Sequence, residues 1–427
     1  MFLKKGGLLM KLSMKNLLKN KSYLSYFFAS ALSMGSSNIL QFALALYILD
    51  MTGSPLIYAS ILSIIIIPRI ILTPIAGVLG DRLRRIDIMK VLNFAQALLM
   101  LIYAIFAIFY KNISLIAVYA LVILLEMIEV FYNAAENSIL AEIIDQDLME
   151  EAVAFSKVDD GIVYVTTPML AAFIYKQFAL SGSFILVCAL MSLTFILNFF
   201  IKTPFAVKVN HDEKNSFKSY FTDFKDGLLE LSKNKFAKVF VVVAPLINFS
   251  FDAVCSVIIT YVFLEVFKLD EYVYGVYRTI TSLVSITLPF IILPVVKKFK
   301  PLKLLKYASL SIATCIFLMG AAVYYGCLDL ENNAIISVIL ITVFDCLIIS
   351  SVMPLNIATQ VFFQKNIKDE YRSRILSVLR MLVLSSIPLG NMFYGFLANT
   401  FEAHICIFVG SLAVFITYPL ILYLSRE

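Results

Sequence analysis

What most constrains this chain is a succession of about twelve unbroken apolar runs, each long enough to cross a bilayer. A spanning helix needs about 20 apolar residues at 1.5 Å each. The runs fall at 23–49, 55–79, 88–110, 113–140, 155–180, 182–201, 238–267, 273–296, 303–327, 334–362, 373–399 and 403–424. Of the 427 residues, 61% are hydrophobic and 15% charged, against about 45–50% and about 25% in a soluble domain. Closed barrels also span lipid, but they show alternating segments of about 10 residues rather than solid runs. The expected fold is an all-α membrane protein with twelve transmembrane helices.

Lysine and arginine positions give the orientation. With the N-terminus inside, one side collects Lys4 to Lys21, Arg82, Arg84, Arg85, Lys90, Lys157, the 202–238 stretch, Lys297 to Lys306, Lys365 to Arg374 and Arg426, while the other receives Lys111, Lys176 and Lys268. The positive-inside rule then places both termini in the cytoplasm and the protein in the cell (inner) membrane. The net charge of +6 is thereby a record of topology, and no nucleic-acid partner is expected. The lysine-rich start resembles a secretory signal, but the apolar run from Tyr23 exceeds a signal core of about 7–15 residues and reads as helix 1. The six cysteines show no metal-ligand or paired spacing, and His211 and His404 lie outside the apolar midplane. No metal and no cofactor are expected.

One boundary divides the chain into 1–202, a linker at 203–237 and 238–427. The linker carries mixed charge, and Phe217, Tyr220, Phe221 and Phe224 fall on one side of a helical pattern suited to the membrane surface. Six helices precede it and six follow, so two six-helix halves are expected.

Ionisable residues inside apolar runs cost about 2.5–3.5 kcal/mol on insertion scales, so each needs a partner, a wet cavity or a task. Helix 4 carries Glu126, Glu129, Asn133 and Glu136 at spacings of three, four and three, along one face. Helix 7 carries Asn248, Asp252 and Ser256, helix 10 carries Asp345, and helix 1 offers Ser37 and Gln41. Arg69 in helix 2 reads as the one mid-membrane cation. Two readings stand. Arg69 neutralises Glu126 or Glu129 as a structural pair, or Glu126, Glu129, Asp252 and Asp345 line a cavity where they meet protons and substrate.

Between helices 2 and 3 runs Gly77-Val78-Leu79-Gly80-Asp81-Arg82-Leu83-Arg84-Arg85. Glycine weakens a helix by about 1 kcal/mol and suits close helix approach. Asp81 can face the positive end of another helix, while Arg82 or Arg85 reaches Glu142 or Asp145, forming a latch that breaks on opening. This turn resembles the loop between helices 2 and 3 of the major facilitator superfamily. Further segments are similar to a subgroup of its bacterial exporters that includes macrolide efflux proteins and a siderophore exporter: Leu49 to Pro55, Pro68-Arg69, Phe131 to Ala141, Asp369 to Arg374 and Pro388 to Ala398. The latch set implied is Gly77, Gly80, Asp81, Arg82, Arg85, Glu142 and Arg374. Departures are Arg84 where relatives carry glycine or a short polar residue, Thr167-Pro168 in place of a Gly-Pro pair, and no arginine in helix 4.

The resemblance implies a monomeric secondary transporter working by alternating access, not an enzyme. Its expected substrate is an amphiphilic or cationic small molecule such as a macrolide-like drug, exported in exchange for protons. Arg69, Gln41, Glu126, Glu129, Asn133, Asn248, Asp252 and Asp345 form the expected substrate and proton set. The alternatives are uptake or flipping of a nutrient or lysophospholipid and, in another class, a membrane-embedded enzyme or channel.

Overall fold

The structure, a computed structural model, describes residues 17, 19–110, 113–145, 148–204, 235–296, 299–366 and 369–425. Among these there are no strands, and ten helical stretches are long and apolar enough to cross a membrane. The helices are α1 (Lys21–Thr52), α2 (Pro55–Ile64, then Ile66–Arg82), α3 (Arg85–Tyr110), α4 (Leu115–Ile143), α5 and α6 within Met149–Asn198, α7 (Lys235–Ala253 continuing to Val266), α8 (Glu271–Val296), α9 (Pro301–Leu328), α10 (Leu330–Asn366), α11 (Asp369–Thr400) and α12 (Ala403–Leu424). They follow the twelve apolar runs one for one. The amphipathic helix expected in the 203–237 linker lies almost wholly outside the described residues.

Local chemistry sets the helix ends. The Asn20 side chain accepts from the backbone N–H groups of Ser22 and Tyr23 at 3.0 and 3.2 Å and caps α1. Gly53 then takes the left-handed conformation, φ 59°, with its N–H on the Leu49 carbonyl at 2.7 Å. Ser54 caps α2 by accepting from Ile57 N–H, and Pro55 fills the first helical position, where no N–H is needed. Pro68 has no N–H to offer the Ile64 carbonyl, and α2 breaks at Ile65. Ala179, at φ 51°, separates α5 from α6 where the runs 155–180 and 182–201 part. Beyond the spans, the Asn332 side chain and backbone N–H donate to Asp329 and hold its carboxyl below the usual carboxylate range.

α3 shows why these helices need lipid. Its residues Val91, Phe94, Leu98, Leu101, Ile105 and Ile108 are exposed in one stripe, while Met89, Asn93, Ala97, Met100, Ala104 and Ala107 are buried on the other side. So continuous an apolar face is covered by hydrocarbon.

Two compact units emerge. Unit 1 comprises Met1–Ala45 and Ile67–Asn215, and unit 2 comprises Leu46–Ile66 and Ser216–Glu427. Unit 1 is built on Tyr23, Met89, Tyr132, Ile139 and Ile143. The Lys202 N–H on Ser22 Oγ at 3.0 Å ties the end of α6 to the start of α1.

In unit 2, α11 packs against α7 and against the first half of α2. A Cβ on Gly390 would collide with the Phe249 carbonyl, and one on Gly395 would collide with the Ala59 side chain and lie 3.0 Å from the Pro55 carbonyl. Ser63 Oγ reaches the Ala59 carbonyl at 2.7 Å and that of Pro388 at 3.0 Å across this contact. The segment Pro388 to Ala398 is therefore a close-packing seam. Gly390→Ala and Gly395→Val are expected to destabilise the protein by about 1–3 kcal/mol each. Thiol-reactive-dye melting of the purified protein checks this, and unchanged midpoints would contradict it.

Candidate functional site

Polar groups inside the spans gather separately within each unit. In unit 1 the Arg69 guanidinium forks onto Glu126, with Nε to Oε1 at 2.6 Å and Nη2 to Oε2 at 3.0 Å. The Glu126 side chain is only 4% exposed and that of Arg69 42%. Both carboxylate oxygens of Glu126 are thus occupied, the arrangement a guanidinium makes best. Glu129, one turn along α4, lies within electrostatic reach of Arg69, Glu126 and Asn133 without an ion pair among the described residues. Glu136 accepts from Ser30 Oγ at 2.9 Å and from Tyr132 OH at 3.4 Å. Gln41 and Asn133 are exposed.

Unit 2 holds the other expected pair. Asp345, 4% exposed, accepts from Tyr277 OH at 2.7 Å, and the Cys255 thiol stands 3.8 Å from its other oxygen. Ser256 Oγ donates to the Asp252 carbonyl at 2.7 Å, with Asp252 Oδ2 and Asn391 Oδ1 each 3.4 Å away. Asn248 Nδ2 is spent on the Ala244 carbonyl at 2.9 Å. Cys255 and Ser256 lie in a π-helical turn, Val254–Ile258, and a second such turn covers Val262–Val266. These wider turns interrupt an otherwise regular α7 at the polar residues, a distortion that often marks functional positions.

The expectation of a single mid-membrane cation is corrected here. Arg278 of α8 stands within electrostatic reach of Asp345, Asp252, Tyr58, Tyr274 and Tyr277. It makes no ion pair within 4.0 Å among the described residues. A span beginning at 273 puts Arg278 near a helix end, so the sequence gives it no task. The signal available was its spacing after Tyr274 and Tyr277 and before Thr281, which sets a polar stripe on α8. Tyr58, from the part of α2 belonging to unit 2 and read from the sequence as an interfacial anchor, is instead buried beside this group. Thr260 Oγ1 and Tyr274 OH are 2.8 Å apart and complete this polar layer.

At the turn after α2, Arg85 Nη1 meets Glu142 Oε1 at 2.6 Å, joining the start of α3 to the end of α4. Asp87 sits 3.6 Å from Arg84 and 3.9 Å from Lys90 in the first turn of α3, where a carboxylate complements the helix dipole. Gly77, Gly80, Asp81 and Arg82 lie on helical backbone, as does Arg374, but their side chains lie outside the described residues.

The Arg69–Glu126 fork yields a direct expectation. Arg69→Met or Glu126→Gln alone leaves one unmatched group and costs about 1–3 kcal/mol, reduced from the value for a fully buried pair because Arg69 is partly exposed. The double variant is expected to cost less than the sum. A double-mutant cycle on melting midpoints reads the coupling, and additive losses would contradict it.

Comparison with known proteins agrees with the architecture. A family model described as Major Facilitator Superfamily matches residues 26–391. Macrolide efflux protein A of Streptococcus pyogenes is 22% identical over 364 residues, which is 84% of this chain and 85% of that protein. YkuC of Bacillus subtilis (strain 168), described as an uncharacterized MFS-type transporter, is 24% identical over 225 residues, and the match spans about half of it, 52% of each chain. Among solved structures, a bacterial homologue of the iron transporter ferroportin in the inward-facing state superposes with a TM-score of 0.72 at 14% identity, covering 96% of this chain and 100% of that one. A POT family transporter in complex with 5-aminolevulinic acid gives 0.70 at 12% identity over 95% and 96%. The nucleoside transporter NupG gives 0.68 at 14% over 95% and 99%. At such identities the structures speak for the fold alone. Twelve apolar helices, charged groups held inside them and a family match over most of the length lead to one statement: the chain belongs to the major facilitator superfamily and is a multi-pass membrane transporter of small molecules.

Proposed function

We propose that this transporter exports an amphiphilic, cationic small molecule of the macrolide-like type in exchange for protons, by alternating access. The observation that carries the reading is the excess of carboxylates over cations inside the apolar spans. Arg69 is committed to Glu126, which leaves Glu129 and Glu136 without an ion pair among the described residues. In unit 2, Arg278 faces both Asp252 and Asp345. Uncompensated carboxylates in hydrocarbon are expensive and suit a protein that binds cations or protons in turn. The relationship to macrolide efflux protein A favours export and an amine-bearing substrate. In this reading the protein sits in the cell membrane with both termini inside, works as a monomer, and uses the halves 1–202 and 238–427 as its moving bodies.

Asp345→Asn is expected to raise accumulation of an amine-bearing macrolide in cells at least threefold, toward that of cells lacking the protein, and Asp252→Asn to do so to a smaller degree. Unchanged accumulation in both would remove these residues from the mechanism.

The Arg85–Glu142 pair is assigned the latch role in the same scheme. Arg85→Glu and Glu142→Arg are each expected to lower export several-fold, and the charge-swapped double variant to recover at least half of it. Singles that transport normally would leave the pair a static tie between α3 and α4.

A further inference from the structure

The start of α3 and the end of α6 meet on the lipid-facing surface of unit 1 in a corner that transport does not use. Lys90 Nζ stands 4.8 Å from the centroid of the Phe199 ring, a cation–π contact that holds the ammonium beside an exposed aromatic face. Phe199 heads an aromatic ladder. Phe195 lies 5.0 Å from it and 5.4 Å from Phe94 of α3, centroid to centroid. From Phe94 the exposed stripe of α3 continues through Leu98, Leu101 and Ile105.

Cations gather at the head of this ladder. Arg84, exposed immediately before α3, and Lys90 share one carboxylate, Asp87, whose oxygens stand 3.6 and 3.9 Å from them, beyond hydrogen-bond range. Lys202 follows Phe199 by three residues, its backbone N–H fixed on Ser22 Oγ at 3.0 Å and its side chain exposed. None of the three cationic side chains donates a hydrogen bond among the described residues. One half-satisfied carboxylate therefore faces three cations whose N–H groups are idle, directly above an apolar face.

We propose that this corner binds an anionic phospholipid from the leaflet that borders the charged ends of α3 and α6. The two unesterified oxygens of its phosphodiester accept charge-assisted hydrogen bonds from Lys90, Lys202 and Arg84, and an acyl chain lies along Phe94 and the α3 stripe. Both parts of the surface demand one amphiphile. A soluble anion leaves the ladder and stripe uncovered, and a zwitterionic lipid brings its own ammonium into an already cationic corner. The occupant is a lipid whose headgroup carries a phosphate and no cation, as in phosphatidylglycerol. It is distinct from the transported substrate and ties α3 to α6 at the membrane surface.

The chain contains no tryptophan, so Leu98→Trp places a lone fluorescent reporter on the exposed stripe, roughly 12 Å along α3 from Lys90. The full-length Leu98→Trp protein is reconstituted in phosphatidylcholine bilayers, and its quenching by dibrominated phosphatidylglycerol is compared with that by dibrominated phosphatidylcholine. A preference of about threefold or more for phosphatidylglycerol is expected. Lys90→Gln and Lys202→Gln in that background should each reduce the preference by about half or more. Both side chains lie at the surface and have no hydrogen bond to lose among the described residues, so the fold should tolerate either change. Lys303→Gln, at the charged start of α9 in unit 2, should leave the preference unchanged. A preference below about threefold, or one that neither lysine substitution halves, overturns the site. An equal fall in Lys303→Gln also overturns it, because overall charge would then account for the attraction.

Discussion

A guanidinium in hydrocarbon must be met by a carboxylate or remain an unpaid cost, and the two units answer that demand differently. In unit 1 the Arg69 fork onto Glu126 occupies both carboxylate oxygens and fixes the second half of α2 against α4. In unit 2 Arg278 has two carboxylates within reach and grips neither at contact distance among the described residues. Asp345 is held instead by Tyr277 and Cys255. The first arrangement matches charge with charge at contact distance, while the second holds its carboxylates by neutral donors, Tyr277 and Ser256 among them.

α2 supplies both units because Pro68 interrupts its backbone ladder. Residues 55–64 pack with unit 2 through Gly395 and the Ser63 hydroxyl, and Tyr58 joins the polar layer around Arg278. Residues 67–82 belong to unit 1 and carry Arg69. A single proline thus lets one apolar run serve two cores. The Thr52-Gly53-Ser54-Pro55 corner before it follows the same economy of local chemistry: a left-handed glycine ends one helix, and a serine cap with a proline begins the next.

Much of this was legible in the sequence because lipid imposes length and continuity on every span. The twelve runs, the break near residue 180 and the Arg69–Glu126 alternative all follow from apolar periodicity and the cost of charge. The Arg85–Glu142 contact was legible too, since a cation after one helix and an anion ending another are close in any hairpin of that length. The centre around Arg278 was hidden. Besides its own α8, its partners come from α2, α7 and α10, and the π-helical turns of α7 change the side-chain register that a regular 3.6 period assigns.

The central claim is that acidic groups inside the spans exchange a proton for a cation. Proton flux into vesicles containing the reconstituted full-length protein tests it most directly, with a quaternary ammonium amphiphile as substrate because it carries no proton of its own. The account predicts proton movement that starts on addition of the amphiphile, opposes its direction and disappears in Asp345→Asn. Amphiphile transport with no accompanying proton movement, or identical proton movement in that variant, would contradict it.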